Sequence, residues 1–346
     1  MLDDLNLIQN RDPSDALAVA GGESLQAGFD VNVWNGENDQ RPIENVVIAG
    51  MGGSALAAAL VKVWLKAELK VPFEILRGYD IPAYVGASTL FIASSYSGNT
   101  EETLSALEQA EKKGAQLGII ASGGQLIDIA SSYKIAHVAL PGNLQPRMAV
   151  IYNLCALIGL LDNFNVVESS KLDEIKATVD WLKSESANWV KEVKTDNNYA
   201  KQLALQVVGK TPVFYGGALT APVAYKWKIS WNENAKNLAF WNEYPEFNHN
   251  EFLGWTSHPI EKPFVVFDLV SNLEHSQILK RFEVSDRLLS GMRPKSITIN
   301  LAGDSLIEQM LWGSILADFV SVYVAILNNV DPTPVYMIEK LKHELA

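Results

Sequence analysis

The chain has 346 residues, 48% hydrophobic and 20% charged, enough to bury one large or two medium cores, and two domains are expected. Its formal net charge of −12 opposes bulk attraction to nucleic acid or anionic lipid, so any bound anion needs a local site. The opening MLDDLNLIQNRDPSDAL is acidic where a secretory signal would be basic, and no uninterrupted apolar run reaches spanning length; a soluble, cytoplasmic protein without membrane or nucleic-acid partners is expected.

In chain order, short β-branched runs alternate with longer helical patterns: NVVIAGMGGSALAAALVKVWLKAEL, VPFEILRGY, TLFIASSYSGNTEETLSALEQAEKKG, AQLGIIAS, YKIAHVALP and the helical RMAVIYNLCALIGLLDNF. That alternation predicts an α/β fold with a doubly wound, mainly parallel sheet. The single cysteine, Cys155, lies in the last of these runs and reads as a small core residue, since it has no partner for a disulfide or companions for a metal site. A charged helical stretch, roughly residues 169–194, follows, and the alternation then resumes with TPVFYGG, KPFVVFDL and KSITINL. Both halves run a strand into paired glycines, VVIAGMGG and VFYGG, as an internal duplication would. The expected domains are therefore residues 1–165 with a leading helical segment, a helical bridge over 166–195, and residues 196–346 with a C-terminal helix.

Ligands of open parallel sheets sit beyond the carboxyl ends of the strands. After the first strand, Gly50-Met51-Gly52-Gly53-Ser54 lets the backbone approach a ligand at a helix N-terminus, which suits an anion. The spacing departs from G-x-G-x-x-G, so a dinucleotide ranks below a phosphate monoester. After the next long strand, Ser95, Ser97 and Thr100 crowd one turn, where hydroxyls and free N–H groups can converge on phosphate oxygens without a lysine. Helix capping by Ser97 or Asn99 is the alternative, with Glu101 and Glu102 near the positive end of the dipole. Capping accounts for one or two of these hydroxyls; Ser54 at the neighbouring turn favours a ligand.

MGGSA followed by SSYSGNTEET resembles a sugar isomerase (SIS) domain, whose hydroxyl-rich loop holds a sugar phosphate. KWKISWNENAK, PEFNHNEFLGW, QPRMAV and DPTPVYMIEKLK resemble the bifunctional phosphoglucose/phosphomannose isomerases, a branch with two SIS domains, in that family's order over nearly the whole chain. The resemblance implies interconversion of glucose 6-phosphate, and mannose 6-phosphate, with fructose 6-phosphate, by proton transfer through a cis-enediol. Neither metal nor organic cofactor is called for.

On this resemblance Glu233 of NENAK is the base that moves the proton between C1 and C2, although its polar surroundings alone would read as surface charge. Ring opening needs a group that exchanges protons near neutrality, and the family pattern singles out His249 among five histidines. His137 lies in an apolar strand and reads as structural, while His258, His275 and His343 sit in polar stretches. A metal on His249 and Glu251 is disfavoured, because residues at i and i+2 project differently on a helix. Arg147 stands where the family stabilises enediolate charge, against the plainer reading of a surface arginine; Met148-Ala149-Val150 after it departs mildly from the family pattern. The family's C-terminal lysine is assigned to Lys342, with Lys340 as fallback, because Lys342 borders an expected buried stripe of Ile338, Leu341 and Leu345. Thr333 occupies the neighbourhood linked with acceptance of mannose 6-phosphate. Gly53, Ser54, Ser95, Ser97 and Thr100 complete the expected substrate contacts.

Trp227, Trp231, Trp241 and Trp255 cluster around the second-half motifs, and some are expected at a subunit interface. The family is dimeric, with the histidine reaching the neighbouring subunit's sugar, which implies a homodimer with His249 acting in trans. A sugar-phosphate sensor is the alternative from another class; it would keep the hydroxyl loop and lose the base, and the chain carries no DNA-binding helix pair or basic arm. The isomerase half of an amino-sugar synthase would call for a glutaminase domain.

Overall fold

A computed structural model describes residues 1–257 and 263–345. Its elements in chain order are helices α1 (Leu5–Arg11) and α2 (Ala16–Gln26), strand β1 (Asn45–Ala49), α3 (Gly52–Trp64), β2 (Phe73–Leu76), β3 (Thr89–Ser94), α4 (Glu101–Lys112), β4 (Gln116–Ala121), α5 (Gly124–Tyr133), β5 (Ala136–Ala139) and α6 (Val150–Asn163). There follow α7 (Ser170–Lys176), α8 (Val179–Ser186), α9 (Tyr199–Val207), β6 (Thr211–Gly216), α10 (Ala221–Asn234), β7 (Phe240–Glu243), α11 (Glu251–Gly254), β8 (Phe264–Val270), α12 (Ser276–Leu288), β9 (Ile297–Asn300), α13 (Leu306–Leu327) and α14 (Tyr336–Leu345). They form two compact units, Glu23–Trp181 and Met1–Gly22 with Leu182–Ala346.

The unit Glu23–Trp181 is built on a parallel sheet of order β2-β1-β3-β4-β5. All six residues of the central strand β3 are buried, which is why TLFIAS reads as an unbroken apolar run. Cys155 is 1% exposed on α6, and burial pushes its thiol up to about 12, in keeping with a core role. His137 on β5 is also buried, its Nδ1 2.9 Å from the Ile135 carbonyl, as a structural histidine.

The other unit repeats the arrangement with a parallel sheet of order β7-β6-β8-β9. Each unit's first strand is flanked by its second on one side and its third on the other, so β6 corresponds to β1 and β8 to β3. The duplication read from the paired glycines is thus visible as topology. Phe214 packs against Trp227, Trp231 and Phe267 with ring centroids 5.5, 5.4 and 5.3 Å away. Trp227, Trp231 and Trp255 therefore fill the core of this unit, where an interface place was expected for some; Trp241 alone of the four is substantially exposed. The 22-residue helix α13 is long and apolar enough to span a membrane by length and composition, yet 94% of its most apolar window is buried within the protein. Its start carries a capping box from Ser305 and Glu308. The chain's first residues are tied to this unit: Lys201 Nζ donates to Asp3 at 3.0 Å and Arg11 Nη1 to the Ile326 carbonyl at 2.6 Å.

Candidate functional site

In the first unit, the turns after β1, β3 and β4 meet at the carboxyl edge of the sheet. Backbone approaches too closely for side chains at Gly50, Gly53, Gly98 and Gly124. A Cβ on Gly53 would lie 2.6 Å from the Pro146 carbonyl oxygen, and one on Gly98, where φ is +70°, would lie 1.8 Å from that of Gly123. Tyr96 pins the same corner: its hydroxyl donates to the Pro141 carbonyl at 2.7 Å and accepts from the Leu144 N–H at 3.1 Å. Its backbone carbonyl accepts from the Ser122 hydroxyl at 2.7 Å.

The expected hydroxyls gather on this scaffold. Ser95 Oγ lies 2.7 Å from Thr100 Oγ1 and 3.5 Å from Ser97 Oγ, while Ser54 Oγ accepts from the Tyr96 N–H at 3.3 Å. Thr100 is the N-cap residue of α4, but its side chain makes no cap hydrogen bond. Asn99 Oδ1 accepts from the Gln125 N–H at 3.0 Å and so serves the start of α5. The capping alternative therefore does not account for the hydroxyls at α4. Residues Thr100 and Met51, the N-caps of α4 and α3, leave the first N–H groups of both helices without a side-chain cap, a setting that favours an anion.

Arg147 belongs to the same unit, in the 3-10 turn Pro146–Met148 that touches Gly53 and leads into α6. It is 1% exposed, so the surface reading fails; its Nη1 donates to Gln145 Oε1 at 3.2 Å. The departing residues Met148, Ala149 and Val150 are all buried, so they bear on packing. Gln26 supports the turn by donating to the Met148 carbonyl at 2.7 Å.

In the second unit, the loop matching the first unit's glycine turn is already filled. Glu274, in the turn after β8 where the first unit has its hydroxyls, accepts from the Leu219 N–H at 2.6 Å. A Cβ on Gly217 would lie 2.3 Å from Glu274 Oε1. Burial raises the pKa of Glu274, and its backbone hydrogen bonds oppose that shift. The duplicated loop thus carries a resident carboxylate where the first unit offers hydroxyls.

Glu233 lies half-buried in the last turn of α10. Beyond it, Lys236 Nζ donates to the backbone carbonyls of Glu233 and of Pro332, the latter at 3.0 Å, which ties this helix end to the turn holding Thr333. Thr333 is half-buried, and its N–H donates to Asp331 Oδ1 at 2.9 Å. His249 closes the 3-10 turn Glu246–His249 with an exposed side chain. Residues on either side are anchored: Asn248 Nδ2 donates to Ser285 Oγ at 2.8 Å, and Glu251 accepts from the Tyr215 hydroxyl and, at 2.7 Å, from Asn242 Nδ2. Both carboxylate oxygens of Glu251 are thereby engaged in holding the loop. Burial first, and Glu251 next, push the Tyr215 hydroxyl far above its ordinary range, so it remains a donor.

Lys342 is exposed on α14, and so is Lys340. The stripe that was expected to be buried is not: Ile338, Leu341 and Leu345 are 43%, 58% and 65% exposed, and α14 has no buried residue. Helical periodicity identifies an apolar face without saying what covers it, so burial does not choose between the two lysines. His258 lies outside the described residues.

Sequence reasoning missed Tyr96, Ser122, Gln26 and Glu274, and weighed Glu251 only as a metal ligand. Ser122, in ASGG after a strand, was open to the same strand-end reasoning; the others depend on contacts made far along the chain.

The chain is similar to known proteins over most of its length. Residues 41–161 match the family model for the SIS domain, and residues 196–345 that for the bacterial phospho-glucose isomerase C-terminal SIS domain. A bifunctional phosphoglucose/phosphomannose isomerase from Caldicellulosiruptor bescii is 38% identical over 88% of this chain and 90% of its own. One from Thermoplasma acidophilum is 36% identical over 94% and 97%. Among solved structures, a glucose-6-phosphate isomerase like protein from Thermus thermophilus aligns with a TM-score of 0.66 at 16% identity, covering 99% of this chain and 98% of its own, which supports the fold.

Proposed function

The chain belongs to the bifunctional phosphoglucose/phosphomannose isomerase family and is an aldose–ketose isomerase of sugar phosphates; we propose glucose 6-phosphate and mannose 6-phosphate as its aldoses and fructose 6-phosphate as its ketose. The observation that carries the phosphate assignment is the cluster of Ser95, Ser97 and Thr100 hydroxyls beside helix starts without side-chain caps. Phosphate is held there and at Gly53 and Ser54, by neutral donors and backbone N–H groups. His249 and Lys342 serve the ring oxygen, exchanging the proton that opens and closes the pyranose or furanose. Glu233 then takes the proton from C2 of the open aldose and returns it to C1, through a cis-enediol whose enediolate form has its negative charge offset by Arg147. Thr333 admits the C2 epimer, so both aldoses are handled by one base.

The chain works as a homodimer in the cytoplasm, with His249 serving the partner's sugar. Its exposed side chain on an anchored loop supports that role.

A coupled assay starting from fructose 6-phosphate, with both aldoses measured separately and EDTA present, tests the proposal. Both products should form, and Glu233→Gln should lower kcat by about 10²–10⁴-fold, the usual contribution of general base catalysis. Binding of fructose 6-phosphate by the wild type without turnover would replace the isomerase by a sensor.

A further inference from the structure

Helix α10 carries three buried polar side chains at four-residue spacing, Lys226, Ser230 and Asn234, and all three reach one carboxylate on α13. Ser230 Oγ donates to Asp318 Oδ1 at 2.6 Å, and Asn234 Nδ2 reaches the same oxygen at 3.4 Å. Lys226 Nζ pairs with Oδ2 at 2.5 Å. Asn234 Nδ2 also donates to Ser321 Oγ at 2.9 Å, and Trp227 Nε1 to the Gly313 carbonyl at 2.9 Å. Lys226, Ser230, Asn234 and Asp318 are at most 1% exposed.

Affinity between the two helices does not call for such a network. Desolvating an ion pair offsets most of its Coulomb attraction, and well-packed apolar side chains of similar volume hold helices together as well or better. What the network supplies is register. Rotating or sliding α10 by one residue would turn all three donors away and leave Asp318 buried without partners, a costly state in a low dielectric.

Asn234 directly follows Glu233, so the bond that fixes Asn234 also fixes the direction in which Glu233 leaves the helix. Lys236 then clamps the Glu233 carbonyl from the other side. We propose that Asp318 is a positioning residue for Glu233: it sets the rotation and register of α10 so that the Glu233 carboxylate meets the C1 and C2 protons, and it makes no contact with substrate itself. This rests on Glu233 being the base.

The test compares the wild type with Asp318→Asn, with the apolar pair Lys226→Met plus Asp318→Leu, and with Glu233→Gln. Thermal unfolding, kcat and KM for fructose 6-phosphate, and inhibition by inorganic phosphate are measured for each. Misplacing a reacting group by about 1 Å costs on the order of 100-fold in rate. The apolar pair should therefore keep its melting temperature and phosphate inhibition while kcat falls about 10- to 100-fold with KM little changed. An apolar pair with wild-type kcat overturns the proposal, and so does one that fails to fold, because the network would then serve stability. Full activity of Glu233→Gln overturns the base assignment and the positioning role with it, whereas an inactive Glu233→Gln beside a fully active apolar pair removes only the positioning role.

Discussion

Asp268 illustrates what burial does to one residue outside the proposed chemistry. It is 2% exposed on β8, its Oδ1 has no hydrogen-bond partner among the described residues, and burial raises its pKa from 3.8 to about 6, against the lowering pull of Arg293. A folded-state pKa above the unfolded value contributes stability that is complete below about 4 and lost as pH rises through about 6. Asp268→Asn should remove that dependence. The slope of unfolding free energy against pH between 4 and 6 should then become less negative by up to about 1.4 kcal/mol per pH unit, the value for one proton, in denaturant titrations at several pH values. An unchanged slope would mean that the carboxyl is ionised throughout. Arg147 shows the complementary limit of sequence reading: its type and place in QPRMAV were legible, but its 1% exposure was not, since that follows from packing against the Gly53 turn.

At the scale of elements, the starts of α4 and α12 occupy matching places and differ in chemistry. After β3 come Ser95, Ser97 and Thr100; after β8 comes Glu274, whose carboxylate takes the N–H of Leu219. A loop that already holds a carboxylate repels phosphate, which is why anion binding is proposed for the first unit. Ser97 is exposed, and its Oγ has only local contacts among the described residues, with the Asn99 N–H at 3.3 Å and Ser95 Oγ at 3.5 Å. Ser97→Ala should therefore shift stability by less than about 0.5 kcal/mol, the range of ordinary surface substitutions. The same change should raise KM for fructose 6-phosphate about 10-fold, the value of one hydrogen bond to a charged group. Unfolding curves and steady-state kinetics on one preparation decide it: an unchanged KM would return this hydroxyl to a purely local role. Most strands were legible as β-branched runs. The edge strand β7 was not, because its four residues FWNE are mostly exposed and lack an apolar run.

For the whole molecule, the proposed trans role of His249 has a direct consequence. Glu233→Gln and His249→Ala chains, each inactive alone, should regain about a quarter of wild-type activity when unfolded and refolded together in equal amounts. Half of the resulting dimers are mixed, and each mixed dimer assembles one intact site. No recovery would place His249 and Glu233 in the service of the same chain's substrate. The sequence by itself determined the alternation of strands and helices, the glycine and hydroxyl turns at the strand ends, and the family, because these are written in local composition and spacing. Only the tertiary structure decided that a carboxylate fills the second of the duplicated loops, that Asp318 gathers three turns of α10, and that the apolar stripe of α14 is uncovered within its own unit. The reason is the same for all three: they depend on partners many residues away, such as Glu274 with Leu219 or Asp318 with Ser230, and local pattern fixes a side chain's character but not the neighbour that packing brings to it.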